Sequence, residues 1–231
     1  MLYVVGTPIG NLEDITLRAV RILGEVDFII CEDTRVTLKL LNHLEIKKHL
    51  VAYQEHSHPR VSEKIIAKLE SGENAAIVTD AGMPCISDPG EKIIRECYEK
   101  GIAVNVVPGP SAVVSALAIS GRCVKSFQFE GFLSVSKSKR HKRLNKIRET
   151  ESTLIFYEAP HKLVRTLTSL LEVLGNRNIS LCHELTKIHE SVERGTINDI
   201  LEKYKAMKKI KGEFVIVVDG YSDEQCVNED E

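Results

Sequence analysis

The chain has 231 residues, 43% hydrophobic and 28% charged, with a formal net charge of −2; these values suit one large soluble domain or two lobes of about 100–120 residues each. No apolar run approaches the ~18–20 residues of a membrane helix, and the opening MLYVVGTPIG has no basic leader and enters a strand-like run at once, unlike a signal peptide. Cys31, Cys85, Cys97, Cys123, Cys182 and Cys226 share no CxxC spacing, which argues against zinc and for reduced thiols in a reducing cytosol.

In chain order, short β-branched runs alternate with amphipathic stretches. Strands are predicted at residues 2–5, 26–31, 50–53, 75–79 and 103–107, and helices begin near Asp14, Arg35, Arg60, Pro89 and Pro110. In the first helix Asp14 is placed to cap, Leu17, Val20, Ile22 and Leu23 supply an apolar stripe, and Gly24 suits the far end. Such alternation predicts a parallel sheet with helices on both faces. After Gly121 the pattern changes. Strands are predicted at 126–132, 153–157, 179–183, 190–195 and 213–218, with helices at 161–174 and 196–204 and a loop and helix in the basic run 137–148. The expected organisation is therefore an α/β lobe over 1–121, a second over 122–221, a cleft between them, and an acidic tail at 222–231 with too little to bury to be ordered.

The unusual segments fall at one kind of place. GTPIGN (6–11), CEDTR (31–35), TDAGMPCISDPG (79–90) and PGPSA (108–112) each follow a predicted strand, as do YEAPH (157–161) and HELTK (183–187). Ligands of open parallel sheets bind outside the carboxyl ends of the strands, so these loops describe a composite site. Neither GxGxxG nor GxxxxGK[ST] occurs, so no dinucleotide fingerprint or P-loop is present. Gly82 and Gly109 allow close backbone approach, and Asp80 is an acceptor for an amine or hydroxyl. Those features are compatible with an uncharged nucleoside bearing an amino-acid tail, without selecting it.

VGTPIGNLEDITLRA, CEDTR, DAGMPCISDPG, PGPSA, FEGF, YEAPHK, ELTK and KGEF, in this order over about residues 1–220, resemble the ribosomal RNA small-subunit methyltransferase I family within the tetrapyrrole methylase superfamily. The resemblance implies a cytosolic, homodimeric class III methyltransferase that holds S-adenosylmethionine between two α/β lobes. Its implied reaction is 2′-O-methylation of a cytidine in the decoding region of 16S rRNA. Carried over by motif, it puts the cofactor against Pro8, Asp80, Gly82, Pro84, Ile86, Ser111, Ala112, Tyr157, Leu185 and Gly212. Three positions depart from the family pattern: Met83 stands for a common Thr, Lys162 for an Arg, and His183 for an Arg.

A ribose hydroxyl is a weak nucleophile, so a proton acceptor contributes about 10²–10⁴-fold. Glu32, Asp33, Glu130, Glu158, Glu184 and Lys187 are the candidates, with Asp33, Glu130 and Lys187 preferred and Arg35 steering a phosphate. KSKRHKRLNKIR (137–148) holds seven basic residues and no acid, which makes Lys139, Arg140, Lys142 and Arg143 the expected RNA contacts. The cluster Lys203, Lys205, Lys208, Lys209 and Lys211 reads better as solvated surface. His56 and His58 are spaced i, i+2 with no third ligand nearby, so they read as loop residues and no metal is expected. Two other functions share the scaffold, a methyltransferase for a small tetrapyrrole-like molecule and a non-catalytic RNA-binding factor.

Overall fold

A computed structural model describes residues 1–55 and 57–222. The expectation for His56, and that for the acidic tail at 222–231 from residue 223 onward, lie outside the described residues. The chain divides into two compact units, Met1–Ser111 and the remainder from Ala112.

The first unit contains β1 (Leu2–Val5), α1 (Leu17–Glu25), β2 (Phe28–Cys31), α2 (Thr34–His43), β3 (His49–Ala52), α3 (Pro59–Glu70), β4 (Ala75–Ile77), α4 (Glu91–Glu99) and β5 (Val104–Val107). Its sheet has the order β3-β2-β4-β1-β5, and every pair is parallel. Successive side chains of a strand face opposite sides, and both sides here are apolar. Leu2, Val4, Phe28, Ile30, Ala75 and Ile77 pack with Ile65, Leu69, Ile93 and Cys97 of α3 and α4. The intervening Val5, Ile29, Cys31 and Ala76 pack with Ala19, Ile22, Leu23 and Leu41 of α1 and α2. Burial on both faces explains why these strands read as continuous apolar runs.

One local expectation is corrected. Asp14 belongs to a short 3-10 turn, Leu12–Asp14, and α1 is capped by Thr16, whose side chain accepts from Ala19 N at 3.0 Å. Thr16→Ala is expected to lower stability by about 1 kcal/mol. Asp14→Ala should cost under half as much, as urea unfolding midpoints of the two variants will show.

The second unit contains α5 (Ala112–Ser120), β6 (Phe127–Phe132), α6 (Lys137–Ile147), β7 (Thr153–Glu158), α7 (Leu163–Leu174), β8 (Asn178–His183), β9 (Ser191–Thr196), α8 (Ile197–Lys205) and β10 (Phe214–Val218). The sheet order is β6-β7-β10-β8-β9, with β6 and β7 parallel and the other pairs antiparallel. Helices α6, α7 and α8 bury Leu144, Ile147, Leu167, Leu170, Ile200 and Leu201 on one face. Helix α5 packs on β8, β9 and β10. Its last turn is tied there by Ser180 Oγ donating to Ser120 O at 2.7 Å and Arg194 Nε donating to the same carbonyl at 3.0 Å. The contacts thus divide the chain just before α5, whereas the sequence pattern changes just after it.

Candidate active site

Strands β1 and β4 are neighbours, so the loops that leave them emerge side by side. Thr7 N donates to Gly82 O at 2.9 Å and Gly82 N to Thr7 O at 3.1 Å, an antiparallel bridge between the two loops. The buried Thr7 hydroxyl adds a bond to Thr79 O at 3.1 Å. A third loop joins at Gly6 and Gly109. A Cβ on Gly6 would lie 2.7 Å from Gly109 Cα, and one on Gly109 would lie 2.9 Å from Gly6 Cα, so only two glycines let these backbones cross. The crossing leaves Pro8 and Pro84 buried, Asp80 exposed, and Ile86 48% exposed. Met83 packs its sulfur against Gly6 and joins the core beneath. Cys85 (φ 70°) and Ser87 (φ 68°) hold left-handed backbone in the same loop, a strained state that clusters at functional loops. Ser111 directly precedes α5, whose first residue is Ala112.

A carboxylate cluster occupies this edge. Asp33 caps α2 through Arg35 N at 2.8 Å and grips the Arg35 guanidinium at 2.5 Å. Those bonds hold its carboxyl down at about 2, which makes Asp33 a poor proton acceptor. Asp80 Oδ1 accepts from Asp33 N at 3.2 Å. Glu32 Oε2 accepts from the buried Thr79 hydroxyl at 3.4 Å, and Asp88 is within reach of the same hydroxyl. Burial, then repulsion from Asp80, pushes Glu32 up. Burial first, with repulsion from Glu32 and Asp80 against the Thr79 bond, raises Asp88 to about 6. Sequence reasoning passed over Asp88 and Thr79, because Ser-Asp-Pro-Gly reads as turn chemistry. Groups whose proton affinity is raised in such a cluster are candidates for proton transfer.

In the second unit Glu184 (φ 50°) and Thr186 (φ 63°) bend the loop after β8. Lys187 Nζ is held at 2.9 Å by both Glu184 Oε1 and Glu213 Oε2. Burial would lower its pKa, but the two carboxylates outweigh that and raise it. Lys187 is therefore a fixed cation and no base. Gly212 (φ 85°) closes against this loop, where a Cβ would lie 2.8 Å from Glu184 Cγ. His183 stacks on Phe214 with centroids 4.6 Å apart and bonds Lys211 O through Nε2 at 3.0 Å, so it serves to hold the 211–214 turn. Leu185 is buried, and Tyr157 meets Phe129 and Phe132 with centroids 4.9 and 5.5 Å away. Lys162 lies over the Phe132 ring. Glu158 is buried and accepts from Thr166 Oγ1 and Ala159 N, a structural placement.

The basic helix is less exposed than its sequence suggests. Glu130 lies at a bulge of β6, and its side chain is 1% exposed. It is gripped by Arg143 through Nε at 2.5 Å and Nη2 at 2.7 Å, and by Gln128. Glu130 is thereby committed to an ion pair, as is half-exposed Arg143. Arg140 corrects the expectation of an exposed contact. It is 4% exposed, and donates to Ser169 Oγ at 2.9 Å, Ser134 O at 2.9 Å and Val135 O at 3.1 Å. Lys139 and Lys142 are exposed. Among the other candidates, His58 caps α3 through Nδ1, and Lys203 and Lys205 pair with Glu193 and Glu202.

A parallel sheet with ligand-type loops at its carboxyl edge, followed by a mixed sheet, defines the α/β fold of class III methyltransferases. Residues 1–201 match the model of the Tetrapyrrole (Corrin/Porphyrin) Methylases, and the chain belongs to that family. Within it, the chain is 48% identical over 219 residues to "Ribosomal RNA small subunit methyltransferase I" of Halalkalibacterium halodurans, covering 95% of this chain and 75% of that protein. It is 43% identical over 219 residues to the protein of the same name from Thermotoga maritima, covering 95% and 98%. Among solved structures, diphthine synthase matches with a TM-score of 0.72 at 14% identity, covering 95% of this chain and 89% of that one. Uroporphyrin-III C-methyl transferase from Thermus thermophilus, complexed with S-adenyl homocysteine, matches with a TM-score of 0.64 at 18% identity, covering 94% and 96%. These two likenesses are of fold.

Proposed function

We propose that this chain transfers a methyl group from S-adenosylmethionine to small-subunit ribosomal RNA, at the 2′-hydroxyl of a cytidine in the decoding region. The observation that carries the reading is chemical contrast within one chain. The strand edge of the first unit bears Glu32, Asp33, Asp80 and Asp88 beside Arg35, while α6 of the second carries six Lys and Arg residues and no acid. Four carboxylates suit the sulfonium and ammonium charges of the cofactor, and Arg35 is left to meet a phosphate of the substrate. The basic helix suits RNA, and the names of relatives at 43–48% identity support the substrate.

The cofactor set is Pro8, Asp80, Gly82, Pro84, Ile86, Ser111, Ala112, Tyr157, Leu185 and Gly212. When bound, S-adenosylmethionine supplies an electrophilic methyl carbon on sulfur. The chain's own residues then have two tasks, to align the hydroxyl, for which about 7–11 kcal/mol is available from positioning, and to accept its proton. We assign the proton to the Glu32–Asp88 pair, whose affinity for it is raised. Asp33 holds Arg35 for a phosphate, Lys187 supplies fixed positive charge, and Glu130 orients Arg143. Action in the cytosol as a homodimer rests on the family resemblance. Tritium transfer from labelled S-adenosylmethionine is the test, with small ribosomal subunits, free 16S rRNA and uroporphyrinogen III as acceptors. Label in subunits or rRNA is expected; label confined to the macrocycle overturns the reading.

A further inference from the structure

Buried charges are normally paired directly with an opposite charge. Arg140 forms no ion pair among the described residues, although it lies close enough to Glu172 to add to Lys137 in lowering the pKa of that carboxyl. Among the described residues its guanidinium meets only neutral acceptors, the Ser169 hydroxyl and the Ser134 and Val135 carbonyls, which leaves Nη2 without a hydrogen-bond partner there. Arg140 forms part of the wall of a groove of about 470 Å³ with Lys137, His161, Arg165, Thr168 and Ser169. Arg165 carries a second mismatch: its Nε is buried without a partner, and the residue forms no ion pair among the described residues. The lining contains no acid. Beside the lining, Glu172 holds Lys137 at 2.9 Å and His141 at 3.1 Å.

The surrounding backbone has the same sign. Lys137 is the first residue of α6, and His161 and Arg165 flank the start of α7. Neither helix has a side-chain cap bond at its amino end, so orphan N–H groups and the positive ends of both dipoles add to the field. Three permanent cations, a histidine and two uncapped helix starts around an open groove describe a receptor for an anionic group.

We infer that the groove between α6 and α7, lined by Lys137, Arg140 and Arg165, binds a backbone phosphate of the RNA substrate. Arg140 and Arg165 form the floor for one phosphate, Lys137 closes the rim, and Ser169 offers a hydroxyl, whereas the Thr168 hydroxyl already donates to Val164 O at 2.8 Å. A polyanion is favoured over a single inorganic phosphate because α6 also carries exposed Lys139, Lys142 and Lys146 outside the groove. This inference rests on the RNA reading above, but adds a site for which that reading has no need. It also shifts the main phosphate contact from the outer face of the basic helix to the groove beside it.

The test is binding of a labelled 16S rRNA transcript by full-length Lys137→Gln/Arg165→Gln, at several salt concentrations. The double variant is expected to bind about tenfold more weakly at 0.1 M salt. Its slope of log affinity against log salt should fall by about 0.7–0.9 per phosphate contact removed. Arg165→Lys, which keeps the charge, should retain most of the affinity and guards against a folding defect. Affinity for S-adenosylmethionine, read by calorimetry, should not change in either variant. Wild-type RNA affinity and salt slope in the double variant would overturn the groove, even where methyl transfer to subunits persists. The groove is equally overturned if only Lys139→Ser/Lys142→Ser loses affinity, or if inorganic phosphate titrated alone saturates it without displacing RNA. A wild-type chain that binds the transcript but labels no rRNA would defeat the methyltransferase reading and leave the groove to be judged on its own variants.

Discussion

Gly6→Ala should destroy the cofactor edge. Its new methyl would lie 2.7 Å from Gly109 Cα, 2.8 Å from Gly109 N and 2.7 Å from Met83 Sδ. The sulfur of Met83 can swing aside, but the Gly109 backbone cannot move without displacing the loop that leads into Ser111. Overpacking of this kind costs about 1–3 kcal/mol, and here the strain falls on the loops assigned to the cofactor. We therefore expect a drop in unfolding free energy of that size and at least a tenfold loss of S-adenosylmethionine affinity by calorimetry. Gly24→Ala is the matched control. Gly24 lies inside α1, and a methyl group there would meet nothing within 4 Å. Alanine there should add about 0.5–1 kcal/mol of stability and leave affinity unchanged.

The second large effect concerns the proton. If Glu32 and Asp88 share its acceptance, the double variant Glu32→Gln/Asp88→Asn should lower the single-turnover methyl-transfer rate by about 10²–10⁴-fold with little change in cofactor affinity. The pH dependence has a defined direction. Burial places Asp88 at about 6, and only the ionised form accepts a proton. The rate should therefore rise as pH climbs through about 6 and level off above 7, with about a tenth of the maximum left at pH 5. Because Glu32, Asp80 and Asp88 repel one another, the observed midpoint belongs to the cluster. Asp33→Ala should act differently. It releases Arg35 and removes a helix cap, so it should weaken RNA binding and stability without shifting that midpoint. A rate independent of pH between 5 and 8 would remove the carboxylates from the mechanism.

The strands were legible because a parallel sheet buried on both faces demands unbroken apolar runs, and 2–5, 28–31 and 75–77 are such runs. Loop identity was legible too, since Gly and Pro at strand ends have few other uses. Less legible were features that depend on what a side chain meets. Asp14 and Thr16 are both good caps by type, and only the 3-10 turn at Leu12–Asp14 decides between them. Arg140 carried a readable signal: it precedes Leu144 and Ile147 by four and seven residues, the spacing of one helix face, and all three are buried. The charge of that run masks its period. Glu130 could not be anticipated, because a bulge re-aims its side chain toward Arg143. Asp88 was hidden in turn chemistry, and its proton affinity arises first from burial and then from Glu32 and Asp80, the first of them distant in sequence.

The most direct test of the account is nucleoside mass spectrometry of rRNA from unmethylated small subunits after incubation with this protein and S-adenosylmethionine. The expected product is 2′-O-methylcytidine in a single fragment of the decoding region, absent when cofactor or protein is omitted. A methyl group found on a base, or no modified nucleoside under conditions where the protein binds both cofactor and subunit, would contradict it.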